Sequence, residues 1–314
     1  MAIVAIAGGT GGVGKTIVEH LQHHGAHKLF ILGRKAPAES TPEAPTFLAV
    51  DYANVEALTI LLEAHKIDTV VSAMNLEIEA GGQSQLSLIA AADKSQTTRR
   101  FIPSEFVTPI DEDDPKSGPG IGGWIPNARA LKKTSLEYIR ISIGFFSDYW
   151  GMPHIKSNLK PFQFFLDMEK GRVVVPGTGN EKFSVTYSED LARFIVRLID
   201  TDEKWPERGF LSGSDISVNE LIEIAERIRG SKMEILYDPV DKLEQGDATL
   251  LWRPEDVAEN EFKALLAGLC QMIIAGACIL PDDDRRLDKR FPDVPLTSVE
   301  EIISKAWSSK SFSA

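Results

Sequence analysis

The sequence predicts an α/β fold built on a parallel β-sheet with crossover helices. From residue 2 to about residue 142, apolar runs of strand length alternate with segments of helical period, which is the pattern of consecutive βαβ units. The first apolar run, 2–7, passes directly into the glycine-rich stretch 8–14, so a strand ends in a tight turn and a helix follows. With 314 residues, the chain can bury a large core without disulfides.

Each predicted strand is an apolar run, and each predicted helix shows the period of a helix with one apolar face. The strands are 2–7, 28–32, 46–50, 69–73, 100–102 and 136–142, and the helices lie near 13–24, 55–64, 84–93 and 127–133. Residues 111–123 are acidic and then rich in Gly and Pro, which predicts a loop long enough to cover a site.

The pattern changes beyond Trp150 to mixed strands and helices. A Pro-Gly turn occupies Pro176 and Gly177, and a later helix opens with Ser217 and Glu220, which are spaced as a capping box. We therefore predict one domain at 1–150 and a second, smaller region at 151–314 whose chain is interleaved with the first.

Composition limits the partners. The net charge of -12 excludes a nucleic-acid partner, which needs clustered Lys and Arg. The apolar stretch 264–280 is shorter than the ~20 residues of a membrane span, so no membrane is expected and the stretch is predicted to be a buried or site-covering helix. The first strand starts without a basic leader, which predicts a cytoplasmic protein.

No His, Cys and Asp residues have metal-ligand spacing, so no metal is predicted, and Cys270 and Cys278 are interpreted as buried apolar side chains.

The glycine-rich stretch fits two nucleotide-binding motifs. Gly8, Gly11 and Gly14 have the spacing of a dinucleotide-binding loop, whereas residues 9–16 also match the P-loop pattern G-x-x-x-x-G-K-T. In both motifs, backbone amides and the positive end of the following helix face a phosphate.

Sequence further along the chain favours the dinucleotide interpretation. A P-loop enzyme needs a carboxylate after a second strand to hold Mg²⁺, but strand 69–73 is followed by Met74 and Asn75. Strand 28–32 is followed by Gly33 and then by Arg34 and Lys35, at the place where a dinucleotide domain selects between NAD and NADP. Two cations and no acid suit the 2′-phosphate of NADPH; solvated side chains without a ligand are the alternative.

Further motifs are spread along the chain. They are Leu32-Gly33-Arg34, Asp51-Tyr52, the run Arg100-Phe101-Ile102-Pro103-Ser104-Glu105-Phe106, Leu136-Glu137-Tyr138, the run 144–151, the run 175–180 and Phe291-Pro292-Asp293-Val294. Together with the glycine loop they resemble the NmrA-like and isoflavone-reductase-like branch of the atypical short-chain dehydrogenases/reductases. The resemblance covers nearly the whole chain. It implies a Rossmann-like, doubly wound parallel sheet with a smaller C-terminal α/β substrate domain, NADPH as cofactor, and a small aromatic or polyketide-like molecule as substrate.

The resemblance also implies roles for individual residues. The phosphates would be held by Gly8, Thr10, Gly11, Gly12, Val13, Gly14, Arg34 and Lys35; Asp51 and Tyr52 would lie near the adenine, and Ala73, Met74, Pro103, Ser104, Glu105 and Phe106 near the nicotinamide. Ser104 has the alternative role of a turn hydroxyl, and Glu105 that of a structural carboxylate, which needs a partner if it is buried.

One feature departs from the family. Its reductases carry a lysine early in the helix before strand 136–142, where residues 124–127 contain none, and Lys132 and Lys133 come too late. Tyr149, His154 and Lys156 are therefore the candidate proton donors, with a buried aromatic as the alternative role of Tyr149. The sequence predicts an NADPH-dependent reductase of a small, largely apolar metabolite. A cofactor-binding regulator, or a non-redox cyclase or isomerase that uses the same pocket, is the alternative.

Overall fold

The computed structural model describes residues 1–36, 44–110, 123–310 and 312. Residues 111–122 of the predicted covering loop therefore lie outside the described part of the chain. The chain forms two compact units. The first unit comprises Met1–Ser142, Glu189–Leu211 and Asp282–Pro295, and the second comprises Ile143–Ser188, Ser212–Pro281 and Leu296–Ala314. The first passage from one unit to the other follows Ser142, and the chain returns twice to the first unit.

The described residues form strands and helices in the following order along the chain. The strands are β1 (Ile3–Ala7), β2 (Lys28–Gly33), β3 (Thr46–Ala49), β4 (Thr69–Ser72), β5 (Arg100–Ile102), β6 (Glu137–Tyr138), β7 (Arg140–Ser142), β8 (Phe145–Phe146), β9 (Leu166–Asp167), β10 (Arg172–Pro176), β11 (Phe183–Thr186), β12 (Arg208–Phe210), β13 (Ser214–Ile216) and β14 (Glu234–Asp238). The helices are α1 (Gly12–His24), α2 (Val55–Ala64), α3 (Glu79–Lys94), α4 (Trp124–Leu131), α5 (Asp148–Gly151), α6 (Ser188–Asp200), α7 (Val218–Arg229), α8 (Val240–Glu244), α9 (Glu259–Ile274), α10 (Leu287–Arg290) and α11 (Val299–Trp307).

The central sheet of the first unit has the strand order β3-β2-β1-β4-β5-β6, and all of its neighbouring strands are parallel. β1 lies in the middle, and its residues from Val4 to Ala7 are fully buried, as expected of a parallel strand covered on both faces. The strand order reverses between β1 and β4. In open sheets of this kind, ligands bind outside the carboxyl ends of the strands at such a reversal. The predicted Rossmann-like, doubly wound sheet is confirmed.

Two predicted elements need correction. The strand predicted at 136–142 divides in two: Tyr138 pairs with Phe101 in the central sheet, whereas Arg140 pairs with Arg208 of β12. The helix predicted at 84–93 begins at Glu79, because Gly81 and Gly82 weaken the helical signal without preventing the helix. Gly82 also allows close packing, since a Cβ there would lie 2.9 Å from the Cα of Gly123.

The second unit contains two small sheets around an aromatic core. β10 pairs parallel with β14 and antiparallel with β9, and β11 pairs antiparallel with β13 and parallel with β8. The capping box of α7 is confirmed, with Ser217 and Glu220 each bonding the other's backbone. The apolar stretch 264–280 lies largely in α9, and no helix among the described residues is long and apolar enough to cross a membrane. Burial raises the pKa of the Cys270 and Cys278 thiols to about 12, so both remain protonated.

Candidate cofactor site

The glycine loop places the first backbone amides of α1 at the carboxyl end of β1. The amide of Gly11 donates to the Gly8 carbonyl, and the amide of Lys15 donates to the Gly11 carbonyl. Helix α1 begins at Gly12, and Gly11 caps it without a side-chain hydrogen bond. The N–H groups of the first turn, from Gly12 to Gly14, have no carbonyl to bond within a helix, and the helix dipole adds positive potential there. This arrangement can bind an anionic group such as a pyrophosphate.

Two of the glycines are required by close backbone contacts. Gly8 has φ +79, and a Cβ there would lie 2.7 Å from the carbonyl oxygen of Ala73, just beyond β4. A Cβ on Gly14 would overlap the carbonyl group of Gly8. Gly11 is different, because its added Cβ would meet only the Gly8 oxygen, at 3.5 Å. Gly8 and Gly14 therefore keep the loop closed against the sheet, and Gly11 leaves room on the exposed side.

The P-loop interpretation does not fit the side chains of this loop. Thr16, which would be the Mg²⁺ ligand of a P-loop, is fully buried and donates its hydroxyl to the Gly12 carbonyl at 3.1 Å. Lys15 points to solvent with 57% of its side chain exposed and lies 4.0 Å from Glu19 on the next turn of α1. Lys15 and Thr16 are thus ordinary residues of a first helical turn.

The carboxyl end of β2 brings Arg34 and Tyr52 together. The Tyr52 hydroxyl donates to the Leu32 carbonyl at 3.2 Å and is buried. Burial raises the pKa of Tyr52 well above its ordinary value, and the positive charge of nearby Arg34 acts in the opposite direction. Arg34, Lys35 and Asp51 are exposed. The structure therefore places two cations within reach of solvent beside the loop, where a 2′-phosphate could be bound.

The residues that follow β4 and β5 are hydrogen-bonded to each other at the same edge of the sheet. Ser104 donates its hydroxyl to the Met74 carbonyl at 2.7 Å, and its amide donates to Gln85 Oε1 at 2.9 Å. Ala73, Met74 and Ser104 are half-buried, whereas Pro103 and Phe106 are buried. Gln85 was not among the predicted site residues, because its position inside a helix gives no sequence signal.

Glu105 lies in a buried ion pair. Arg140 Nε donates to both Glu105 carboxylate oxygens, at 2.9 and 2.7 Å, and each side chain is only 3% exposed. Arg140 also donates to the Ile110 carbonyl at 2.9 Å. The expectation that a buried Glu105 needs a partner is confirmed, and this pair fixes the chain after β5 rather than presenting a free carboxylate. Arg140 was not predicted, because it lies far from Glu105 in the sequence.

Helix α4 contains no lysine. Asn127 lies on its buried face and donates from Nδ2 to the carbonyls of Gly82 and Gly123, at 3.1 and 2.7 Å. This side chain ties α4 to α3. Lys132 follows the last residue of α4 as its C-cap and is exposed.

The three candidate proton donors belong to the second unit, at α5 and just after it. Tyr149 is half-buried, with ring centroids of Phe162 and Phe146 at 5.3 and 6.5 Å. His154 is exposed and packs edge-on against Trp307, with 4.7 Å between ring centroids. Lys156 is exposed, and its carbonyl accepts a bond from the Tyr187 hydroxyl at 2.5 Å.

Asp148, which the sequence analysis did not single out, anchors this segment. It is fully buried and accepts bonds from the hydroxyls of Ser157 and Ser188, at 2.6 and 2.5 Å, and from the Ser188 amide at 2.9 Å. Burial raises its pKa, and these hydrogen bonds oppose the rise. The network joins α5 to the loop that carries His154 and Lys156, and its members are too far apart in sequence to be recognised as a motif.

Proteins of similar sequence are named as oxidoreductases. A fungal protein named oxidoreductase swnN, from Metarhizium robertsii, is 31% identical over 99% of this chain and 98% of its own. Oxidoreductase BOA1 of Botryotinia fuckeliana is 34% identical over 74% of this chain and 77% of its own. Phenylcoumaran benzylic ether reductase TP7 of Nicotiana tabacum is 24% identical over 96% and 97%.

Solved structures share the fold. Pinoresinol-lariciresinol and phenylcoumaran benzylic ether reductases match with a TM-score of 0.76 and 20% identity over 97% of this chain and 99% of theirs. A complex described as AtPrR2 with NADP+ and (+)pinoresinol matches with a TM-score of 0.73 and 19% identity over 96% and 98%. The model of the NmrA-like family matches residues 2–259. With this match and a 31% identical relative of almost the same length, the chain belongs to the NmrA-like family.

Proposed function

We propose that this protein is an NADPH-dependent reductase of a small, largely apolar metabolite. The observation that carries the proposal is the glycine loop, in which closely packed Gly8 and Gly14 leave the first amides of α1 open beside Arg34 and Lys35. An anion-binding helix end together with two cations after β2 suits a pyrophosphate and a 2′-phosphate. Relatives named as oxidoreductases, and solved structures of similar fold described as complexes with NADP+ or NADPH, support the same cofactor.

NADPH held by the glycine loop, Arg34 and Lys35 would supply a hydride to an electrophilic carbon of the substrate. The negative charge that this leaves, on the oxygen of a reduced carbonyl or on the enolate of a reduced enone, requires one proton from a donor. The Tyr149 hydroxyl and the His154 imidazole are the proposed donors, with the Lys156 ammonium as the third candidate. The chain contributes no early lysine on α4 among the described residues, so the donor has to be found elsewhere.

The substrate class is proposed from the surroundings of Tyr149. Phe146, Phe162 and Trp252 are half-buried, like Tyr149, and Phe162 contacts Trp252 with 6.2 Å between ring centroids. Partly exposed aromatic rings favour a flat, apolar ligand, because ring contacts add to the free energy of burying apolar surface. The relatives include a phenylcoumaran benzylic ether reductase and a protein named eugenol synthase 1, which is consistent with an aromatic metabolite.

The missing lysine supports a second candidate. A redox sensor would keep the cofactor loop without a proton donor, and a cyclase or isomerase would convert its substrate without hydride transfer. These alternatives differ from a reductase in one observable: none of them oxidises NADPH when a substrate is added.

The experiment is a screen of aromatic ketones and enones for substrate-dependent oxidation of NADPH, followed by variants. We expect Tyr149→Phe or His154→Gln to lower kcat while the Kd of NADPH stays unchanged, since removing a proton donor typically costs about 10²-fold or more in rate. Tyr237→Phe is the matched control, because this tyrosine is 65% exposed on β14. Tight NADPH binding without turnover of any compound would favour the sensor or the non-redox enzyme.

A further inference from the structure

A cluster of two histidines and one aspartate lies in the first unit, away from the glycine loop. His24 is the last residue of α1, His27 immediately precedes β2, and Asp200 is the last residue of α6. His24 Nε2 is 3.0 Å from Asp200 Oδ2, and His27 Nε2 is 3.0 Å from Asp200 Oδ1. One ligand atom from each of the three residues can be chosen so that all lie within 4.8 Å of one another.

These distances suit a tetrahedral transition-metal site. Two ligands bound to Zn²⁺ at about 2.0–2.1 Å with tetrahedral angles lie roughly 3.4 Å apart. Imidazole nitrogen and carboxylate oxygen are both common Zn²⁺ ligands. In addition, α1 and α6 both end here, and the negative ends of two helix dipoles favour a cation.

His27 gives an independent sign of an unsatisfied site. Its side chain is only 4% exposed, and among the described residues its buried Nε2 makes no hydrogen bond of normal geometry, although Asp200 Oδ1 lies 3.0 Å away.

We propose that His24, His27 and Asp200 form a binding site for a divalent transition-metal ion, with Zn²⁺ as the best match. His24 and Asp200 have 34% and 31% of their side chains exposed, so the ion has access from solvent and a fourth position is open to water. Sequence spacing predicted no metal, because Asp200 lies far along the chain from the two histidines. His27 by itself does not indicate a metal site in the sequence.

Metal binding has a structural consequence at the N-terminus. The Ala2 amide donates to His27 Nδ1 at 3.2 Å, so that nitrogen carries no proton in this arrangement. An ion on Nε2 moves the ring proton to Nδ1, and the Ala2 bond is then lost. The loss of one hydrogen bond lowers the affinity but does not prevent binding.

The site is independent of the proposed reduction. It lies at the end of α1 and the start of β2, whereas the glycine loop lies at the start of α1 and the carboxyl end of β1. The ion would hold the end of α1 to the end of α6. A bound ion would therefore stabilise the first unit without entering hydride transfer.

The test is calorimetric titration of the chelator-treated, full-length protein with Zn²⁺, together with the visible absorption of bound Co²⁺. We expect one ion per chain, and Asp200→Asn and His24→Gln each to weaken binding roughly tenfold or more. Both side chains are about one-third exposed, so these variants should fold. His23→Gln is the matched control, because this neighbouring histidine is exposed and lies outside the cluster.

Two outcomes would overturn the proposal: no Zn²⁺ binding by the unaltered protein, or equal binding by the unaltered protein and Asp200→Asn. NADPH titrations of the same variants should show no change. Loss of Zn²⁺ binding with NADPH binding intact separates this proposal from the proposed function.

Discussion

The cofactor region of the first unit and the α5 segment of the second unit are built in different ways. In the first, the geometry is set by backbone: Gly8 and Gly14 touch each other and the end of β4, and the functional groups are amides. In the second, the geometry is set by side chains from distant parts of the chain, as Asp148 bonds Ser157 and Ser188. A backbone site depends on a few residues close in sequence, whereas a side-chain site depends on packing across a whole unit.

This difference predicts where a substitution affects binding and where it affects stability. Changes at Gly8 and Gly14 should reduce cofactor affinity, because any added side chain overlaps neighbouring backbone and displaces the amides. Changes among the buried polar groups should reduce stability first.

The largest loss of stability is expected for Glu105→Gln, which removes the buried carboxylate that Arg140 Nε bonds through both oxygens. Breaking a buried pair costs about 3–5 kcal/mol of unfolding free energy, measurable by urea denaturation. Arg227→Gln is the control, because the pair of Arg227 and Glu300 is more than half exposed, and its loss should be within about 1 kcal/mol. NADPH affinity of the folded Glu105→Gln variant should be unchanged. Equal stability of the two variants would contradict a structural role for Glu105.

Gly14→Ala should affect the cofactor more than the fold. The new methyl group overlaps the carbonyl group of Gly8, so the loop must open, at a cost of about 1–3 kcal/mol in stability and with loss of NADPH binding. Gly268→Ala in α9 is the matched control, since no atom lies within 4 Å of its added Cβ and alanine favours a helix by about 0.5–1 kcal/mol. Calorimetry should find normal NADPH binding in Gly268→Ala only. A Gly14→Ala protein that binds NADPH normally would disprove the proposed use of the loop.

Replacing Arg34 and Lys35 by alanine should weaken the binding of NADPH by about 10–100-fold and leave the binding of NADH nearly unchanged, because only NADPH carries the 2′-phosphate. Lys15→Ala serves as the control and also tests the P-loop alternative, since its side chain is 57% exposed beside Glu19. Fluorescence titration with both cofactors gives the comparison. If the Arg34 and Lys35 substitutions weakened the binding of NADPH and of NADH equally, these cations would not bind the 2′-phosphate.

The smallest effect is a pH dependence from Asp148. Burial raises the pKa of Asp148 in the folded state, so the folded protein binds this proton more tightly than the unfolded chain does. The resulting gain in the free energy of unfolding is fully present below the unfolded pKa near 4 and is lost as pH rises through the raised pKa. Stability should fall by about 1.4 kcal/mol for each unit by which the pKa is raised. Denaturation of Asp148→Asn across this range should lack the fall, while the exposed Asp202→Asn should retain it. Parallel curves for all three proteins would contradict the raised pKa.

The sequence predicted most of the first unit because its signals are local. The apolar runs and the glycine loop located β1 to β5 and α1 within a few residues, and Arg34 followed from the family motif and the end of β2. The division at Ile139 was not predictable, since the runs on either side are equally apolar and only pairing with β12 separates them. The partners of Glu105 and Asp148, and the meeting of Asp200 with His27, depend on tertiary packing and have no local pattern.

The most direct test of the central claim is calorimetric titration of the purified protein with NADPH, NADH and Mg²⁺-ATP under the same conditions. We expect NADPH to bind with one site per chain, NADH to bind more weakly, and ATP to produce no heat of binding. Binding of ATP with no response to NADPH would contradict the assignment of the cofactor and would mean that the glycine loop acts as a P-loop.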